Sequence, residues 1–319
     1  MDKALKKAVD VTFNQCLKIK KKETLLIITD KKTKKIGKAL FDYGKKICKD
    51  SVLIDIPVGK VNGEEPPKST AKIMKQFDVI IAPTKMSLTH TMAVKNIRKS
   101  GARVATMPGI TEPMLKRCMG ADYKKVSKLT KKISNSLSKA KSIRLTTKKG
   151  TDITIYRNKK DVVFSDMGEI SKKGSKGNLP AGESFLVPKH KKTHGVFVID
   201  ASLGGLGKID KPVKVTVEKG YAVNIDGGKS AAKLNKILKK CGKQAFNIAE
   251  LGIGTNYKAK ITGIVLEDEK VFGTAHIAFG NSKGMGGPTY APCHIDCVFR
   301  NPTIYADKKK VMNNGKLLK

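Results

Sequence analysis

The sequence has no tryptophan, 5% aromatic residues in all, and only six arginines among its 65 basic residues. Proteins that read nucleic acid by sequence lean on arginine forks at base edges and on aromatic faces that stack bases. Both are in short supply, so the net charge of +38 reads as a lysine-coated surface, with non-specific, salt-sensitive polyanion binding expected at low ionic strength. Cysteine is scarce as well. Cys16, Cys48, Cys118, Cys241, Cys293 and Cys297 are too sparse and unevenly spaced over 319 residues for a disulfide framework, which makes a reducing, cytoplasmic setting the expectation. Long apolar runs are missing too: Leu25–Ile28 and Val79–Ala82 fall far short of the roughly 18 residues that cross a bilayer, so no membrane span is expected. Met1 to Phe13 alternates Lys with Ala, Leu and Val without an uninterrupted apolar core or a small-residue cleavage site, and so reads as a helix rather than a secretion signal.

What is present is a folded chain. Hydrophobic residues make up 39% of it and are spread along its length, and 319 residues fit two domains of ordinary size. Through the first part, short apolar runs alternate with helical stretches. The runs are Thr24–Thr29, Ser51–Ile56, Asp78–Ala82 and Ala102–Ala105; the helices follow as a Lys-rich stretch after Thr29 to Lys49, near Ser69 to Gln76, from about Ser87 to Ser100, near Thr111, and from Asp122 to Lys141. Buried-type strands separated by helices predict an open parallel sheet, a Rossmann-like α/β domain over residues 1–140. Beyond it the texture changes to alternating strands with Gly and Asn turns at Ser142–Thr147, Asp152–Arg157, Gly195–Ile199, Val213–Glu218 and Tyr221–Ile225, interrupted by one helix, Lys229–Cys241. That predicts a β-rich α+β domain over residues 141–319.

Neither nucleotide-type glycine cluster holds up. Gly204-Gly-Leu-Gly207 lacks the strand-to-helix frame of a dinucleotide loop, and Gly228-Lys-Ser230 has Val223 where the first phosphate-loop glycine belongs, so both read as turns. Chemistry concentrates instead in Thr274-Ala-His-Ile-Ala-Phe-Gly280 and Pro292-Cys-His-Ile-Asp-Cys-Val298. In a strand, His294 and Asp296 project from one face while Cys293, Ile295 and Cys297 project from the other. This favours His294 and Asp296 as a metal pair over a zinc site built from Cys293, Cys297 and His294. Glu183 and Glu250 each sit among apolar residues and glycines, where an unpaired carboxylate is costly and a cation would relieve it. Four windows, Gly177–Pro188, Gln244–Tyr257, Val271–Ser282 and Gly284–Phe299, contain no Lys or Arg in an otherwise lysine-rich chain, and they hold Glu183, Glu250, His276, His294 and Asp296. As a set these residues point to a metal site.

The stretches NLPAGESF, AELGIGTN, TAHIAFGNS and HIDCV, in that order, resemble the aminopeptidase T family of metallopeptidases over essentially the whole second domain. SLTHTMA and GARVATMPGIT also look like its amino-terminal domain. The resemblance implies a homodimeric, cytoplasmic metalloaminopeptidase acting on small peptides, in which Glu183, Glu250, His276, His294 and Asp296 bind two divalent ions, Zn, Co or Mn. Two such ions about 3.5–4 Å apart hold water as hydroxide and polarise a scissile carbonyl, with Glu183 as a general base. It further implies an acid or base role for His90, toward a cleft. Two features depart from the peptidase pattern. The family tyrosine seven residues after the first histidine is Lys283 here, leaving Tyr290 as a substitute, and the connector from His276 to His294 is short. A short connector is shared with the dihydroxypyridine ring-cleaving dioxygenases, which use one Fe(II) on two histidines and a carboxylate, a set that His276, His294 and Asp296 would supply. The expectation drawn from the sequence is the dimetal peptidase. The alternatives are the mononuclear iron dioxygenase and a basic binding protein with a residual metal site.

Overall fold

The computed structural model of the chain describes residues 1–48 and 50–318, and it divides into two compact units. One comprises Met1–Ser127 with Asp166–Ala181, the other Lys128–Ser165 with Gly182–Lys319. The division falls within the helix Tyr123–Lys139.

The first unit is an α/β structure around a five-stranded parallel sheet. Its strands run in the order Asp50–Ile56, Thr24–Asp30, Val79–Ala82, Arg103–Thr106 and Lys176–Asn178. Leu25, Leu26, Ile27 and Ile28 are all fully buried, so both faces of the central strand are covered and the apolar run is continuous rather than alternating. The fifth strand, Lys-Gly-Asn, carries no apolar signal and is absent from the sequence reading. The helix after Thr24–Asp30 spans Lys34–Gly44 and is shorter than expected; Lys49, its predicted end, lies outside the described residues. The helix expected from Ser87 begins at Met92 instead, because Thr91 folds its hydroxyl back to the Leu88 carbonyl and accepts from the Val94 amide, which makes it the N-cap.

The second unit is β-rich and antiparallel. One sheet has eight strands, in the order Tyr221–Asp226, Val213–Glu218, His194–Ile199, Asp152–Tyr156, Ser142–Thr146, Thr303–Ala306, Lys309–Asn313 and Lys316–Leu317. The other has seven, ordered Gly207–Lys208, Ser202–Leu203, His294–Arg300, Thr274–Gly280, Ile248–Gly254, Glu183–Leu186 and Val163–Asp166. Inward residues of both sheets form one core, in which Phe197 meets Phe279 and Phe299 at ring-centroid distances of 5.9 and 6.4 Å. Of the two glycine clusters, Gly204-Gly-Leu-Gly207 is a turn, as read from the sequence, whereas Gly228-Lys-Ser230 opens a helix. Gly204–Leu206 lies within the turn between Leu203 and Gly207, and the amides of Lys229 and Ser230 at the start of the helix Gly228–Cys241 donate to the Asp210 carboxylate at 2.9 Å. That helix end already has its anion. Among the described residues no helix is long and apolar enough to cross a membrane.

Ile277 is fully buried in this core at the centre of its strand, one residue from His276 and on the opposite face. Ile277→Val should therefore lower stability by about 1 kcal/mol in denaturant unfolding while leaving metal stoichiometry unchanged. A loss of metal on that substitution would show that the two faces of the sheet are not independent.

Candidate metal centre

Three adjacent strands and a fourth beside them build the site through their register. Across the antiparallel pairs, Gly252 lies opposite His276, Glu250 and Asp296 both lie opposite Ala278, His294 lies opposite Gly280, and Glu183 lies opposite Gly254. Paired residues share a face, so Glu183, Glu250, His276, His294 and Asp296 all project from the side of the sheet away from the core, while Leu251, Ile253, Ile277, Ile295 and Cys297 fill the core. Apart from Val298, which pairs with His276 on its other side, the positions opposite the ligand candidates are Gly or Ala, which leaves room for the longer side chains. At Gly252 the space is fully used: a Cβ there would stand 2.1 Å from both Cε1 and Nε2 of the His276 ring.

The side chains converge. His276 Nε2 lies 3.4 Å from Glu250 Oε1 and 3.5 Å from Glu183 Oε2, and His294 Nε2 lies 3.3 Å from Glu250 Oε2 and 3.4 Å from Asp296 Oδ1. Ligand atoms held about 2.0–2.2 Å from one ion stand roughly 3.0–3.5 Å from each other, which these spacings match. One ligand atom from each of Glu250, His276 and Asp296 lies within 4.8 Å of the others. His294 Nδ1 donates to the Asn281 carbonyl at 2.9 Å, which makes Nε2, on the side of the carboxylates, the nitrogen that would bind an ion. Glu183 Oε2 and His276 Nδ1 are buried without a hydrogen-bond partner, and for the Glu183 oxygen, facing His276, a cation would supply the missing contact. The donor set, nitrogen and carboxylate oxygen without thiolate, suits a first-row divalent metal.

The electrostatics follow from packing carboxylates and imidazoles out of water. Burial raises the Glu250 carboxyl, but its hydrogen bonds from His276 and His294 outweigh this and hold it below the ordinary carboxylate value. Burial acts the same way on Asp296 and is overcome by the His294 charge. Burial lowers His276, yet the hydrogen bond to Glu250 and the charges of Glu183 and Asp296 carry it up to about 9. His294 is likewise raised, with Asp296 the main counterweight to burial. Without a metal the cluster therefore draws protons onto its histidines.

Two residues of this cluster are missed by the sequence reading. Lys270, 1% exposed, is ion-paired through Nζ to Glu183 Oε1 and, at 2.7 Å, to Glu269 Oε1. Burial raises Glu183 to about 8 despite that lysine, and raises Glu269 as well. No pattern separates Lys270 from the other lysines of the chain; it stands immediately before the lysine-free window that begins at Val271. The other sequence-derived candidates, Tyr290 and His90, are exposed. Tyr290 is 65% exposed on the loop between Gly280 and His294, which also carries the exposed Lys283. His90 belongs to the first unit, exposed in the turn before the helix Met92–Lys99 rather than at a helix start.

Comparison with known proteins identifies the kin of this site. The family profile of 2,5-dihydroxypyridine 5,6-dioxygenase (NicX) matches residues 4–319. A curated 2,5-dihydroxypyridine 5,6-dioxygenase of Pseudomonas putida is 25% identical over 248 residues, which span 72% of this chain and 68% of that one. The solved structure of the dioxygenase from Pseudomonas putida KT2440 superposes with a TM-score of 0.82 at 18% identity, covering 99% of this chain and 96% of that one. Wild-type AmpT from Thermus thermophilus superposes at 0.72 with 13% identity, covering 99% of both chains. The relation to aminopeptidase T is thus one of fold. The expectation of a metalloaminopeptidase, and with it the hydrolase and protease assignments, is overturned by the family match. By a match spanning nearly its whole length, the chain belongs to the 2,5-dihydroxypyridine 5,6-dioxygenase family.

Proposed function

We infer that this protein is a mononuclear Fe(II) dioxygenase that opens a dihydroxylated aromatic ring of the 2,5-dihydroxypyridine type. The observation that carries this is that His276, His294 and Asp296 project from one sheet face, two imidazoles and one carboxylate, in a chain of that family. An Fe(II) ion held there would supply the redox chemistry that lets a ring react with dioxygen, in which one ring carbon–carbon bond breaks and both oxygen atoms enter the product.

The chain's own residues set the conditions. Glu250 Oε1 and Oε2 stand 3.4 and 3.3 Å from Nε2 of His276 and His294, which sets a negative charge beside both imidazoles. His276, Glu183 and Glu250 have side chains only 1%, 9% and 8% exposed, which keeps water from that side of the site, whereas the His294 side chain is 32% exposed. Substrate therefore enters beside His294. The buried carboxylates disfavour an anionic ring unless the metal offsets them, so binding of the ring should depend on the ion.

The test is oxygen uptake by anaerobically purified, Fe(II)-loaded protein with 2,5-dihydroxypyridine as probe. One O2 consumed per ring lost, and loss of that activity in His294→Ala, is the expected outcome. Release of amino acids from short peptides with no oxygen consumed would overturn the reading.

A further inference from the structure

Two groups of potential ligands share His276. Beside Glu250, His276 and Asp296 stands a second, Glu183, Glu269 and His276, whose ligand atoms also lie within 4.8 Å of one another. Taken by donor type alone, the carboxylates of Glu183 and Glu269 offer a place for a second ion beside the first. The second group, however, already contains a cation, because the Lys270 ammonium is bonded to Glu183 and Glu269.

We propose that Lys270 is a built-in replacement for a second metal ion, and that it limits the site to one ion per chain. The inference rests on the metal reading of the His276 face and not on oxygen chemistry. An ammonium has three donors, no acceptor and a compact charge, so it satisfies two carboxylates much as a divalent ion would. It bonds their oxygens at about 2.7–2.9 Å, and a metal needs the same lone pairs at about 2.0–2.2 Å. The two cations exclude each other.

Lys270 is also built into this position. It is the only lysine among the described residues that is buried, in a chain with 65 basic residues. Its amide donates to the Glu267 carbonyl at 3.0 Å, closing the turn after the short helix Val265–Asp268, and its carbonyl accepts from the Asn256 amide at 2.8 Å. Gly254 lets this turn lie against the adjacent strand, since a Cβ there would stand 2.1 Å from the Val271 carbonyl oxygen and 2.8 Å from the Lys270 carbonyl carbon. The backbone is pinned on both sides, and the side chain is delivered to the carboxylates from a fixed point.

The experiment is titration of chelator-stripped, full-length protein with Mn(II), followed by calorimetry and by electron paramagnetic resonance, which distinguishes an isolated ion from a spin-coupled pair. Wild type should take up one equivalent with an isolated-ion spectrum. Lys270→Met, neutral and of similar length, should take up two and show coupling, and Glu183→Gln together with Lys270→Met should return to one. If Lys270→Met does not fold in metal-free buffer, it should fold on addition of excess Mn(II); failure to do so overturns the proposal, as does a Lys270→Met protein that binds a single ion. Two ions in wild type would overturn this inference alone, whereas none in wild type would overturn the metal reading beneath it.

Discussion

His276→Ala should leave the protein unable to hold its metal and, in consequence, unable to consume oxygen. His276 is fully buried, its Nε2 stands between the Glu250 and Glu183 carboxylates at 3.4 and 3.5 Å, and it is common to both potential ligand groups. Losing an outer-sphere partner of a metal ligand costs about 10–100-fold in affinity, and losing the ligand itself should exceed that. Removing the imidazole also leaves two buried carboxylates facing an empty space, and breaking such a buried pair costs about 3–5 kcal/mol. Two readouts separate these effects: elemental analysis of the metal retained after gel filtration, and thermal unfolding with and without added Fe(II). Wild type should be stabilised by the ion, while His276→Ala should melt at the same temperature in either condition. A variant that keeps a full equivalent of iron through gel filtration would remove His276 from the ligand set.

Much of this centre was legible before any coordinates because strand geometry has a period of two. In His294-Ile-Asp296-Cys297 that period alone separates the polar pair from the core pair, and in Glu250-Leu-Gly-Ile-Gly254 it sets the carboxylate and both glycines on one face with Leu251 and Ile253 on the other. The parallel strands of the first unit were legible for a related reason, since burial on both faces leaves continuous runs such as Leu25–Ile28. The strand Lys176–Asn178 was not, because it is held by backbone pairing to Arg103–Thr106 and its side chains carry no pattern. Lys270 was hidden for a different reason: what distinguishes it is burial next to Glu183, which lies 87 residues away in the chain, and in a lysine-rich sequence nothing local marks it. The enzyme class was out of reach for the same cause. Glu, His and Asp at these positions are compatible with a one-ion oxygenase and a two-ion hydrolase alike, and the residue that bears on the number of ions has no motif.

Gly252→Ala should abolish tight metal binding by moving a side chain it never touches covalently. Gly252 lies directly opposite His276 in the antiparallel register, and a methyl group there would sit 2.1 Å from two atoms of the imidazole ring, well inside van der Waals contact. The strand is not in a left-handed conformation at this residue, so the substitution carries no backbone penalty and its whole effect is steric. The ring cannot stay. It is packed between Glu183 and Glu250, and any rotation that clears the methyl group takes Nε2 out of line with both carboxylates. Overpacking of this kind costs about 1–3 kcal/mol in stability, but the larger consequence is a loss of metal affinity close to that of His276→Ala. The double variant provides the decisive comparison. If Gly252 acts only by leaving space for the ring, Gly252→Ala combined with His276→Ala should bind metal no worse than His276→Ala alone, and should recover the stability lost to the clash. Additive losses in the double variant, or metal binding by Gly252→Ala equal to that of wild type, would show that the ring is positioned by something other than the glycine facing it.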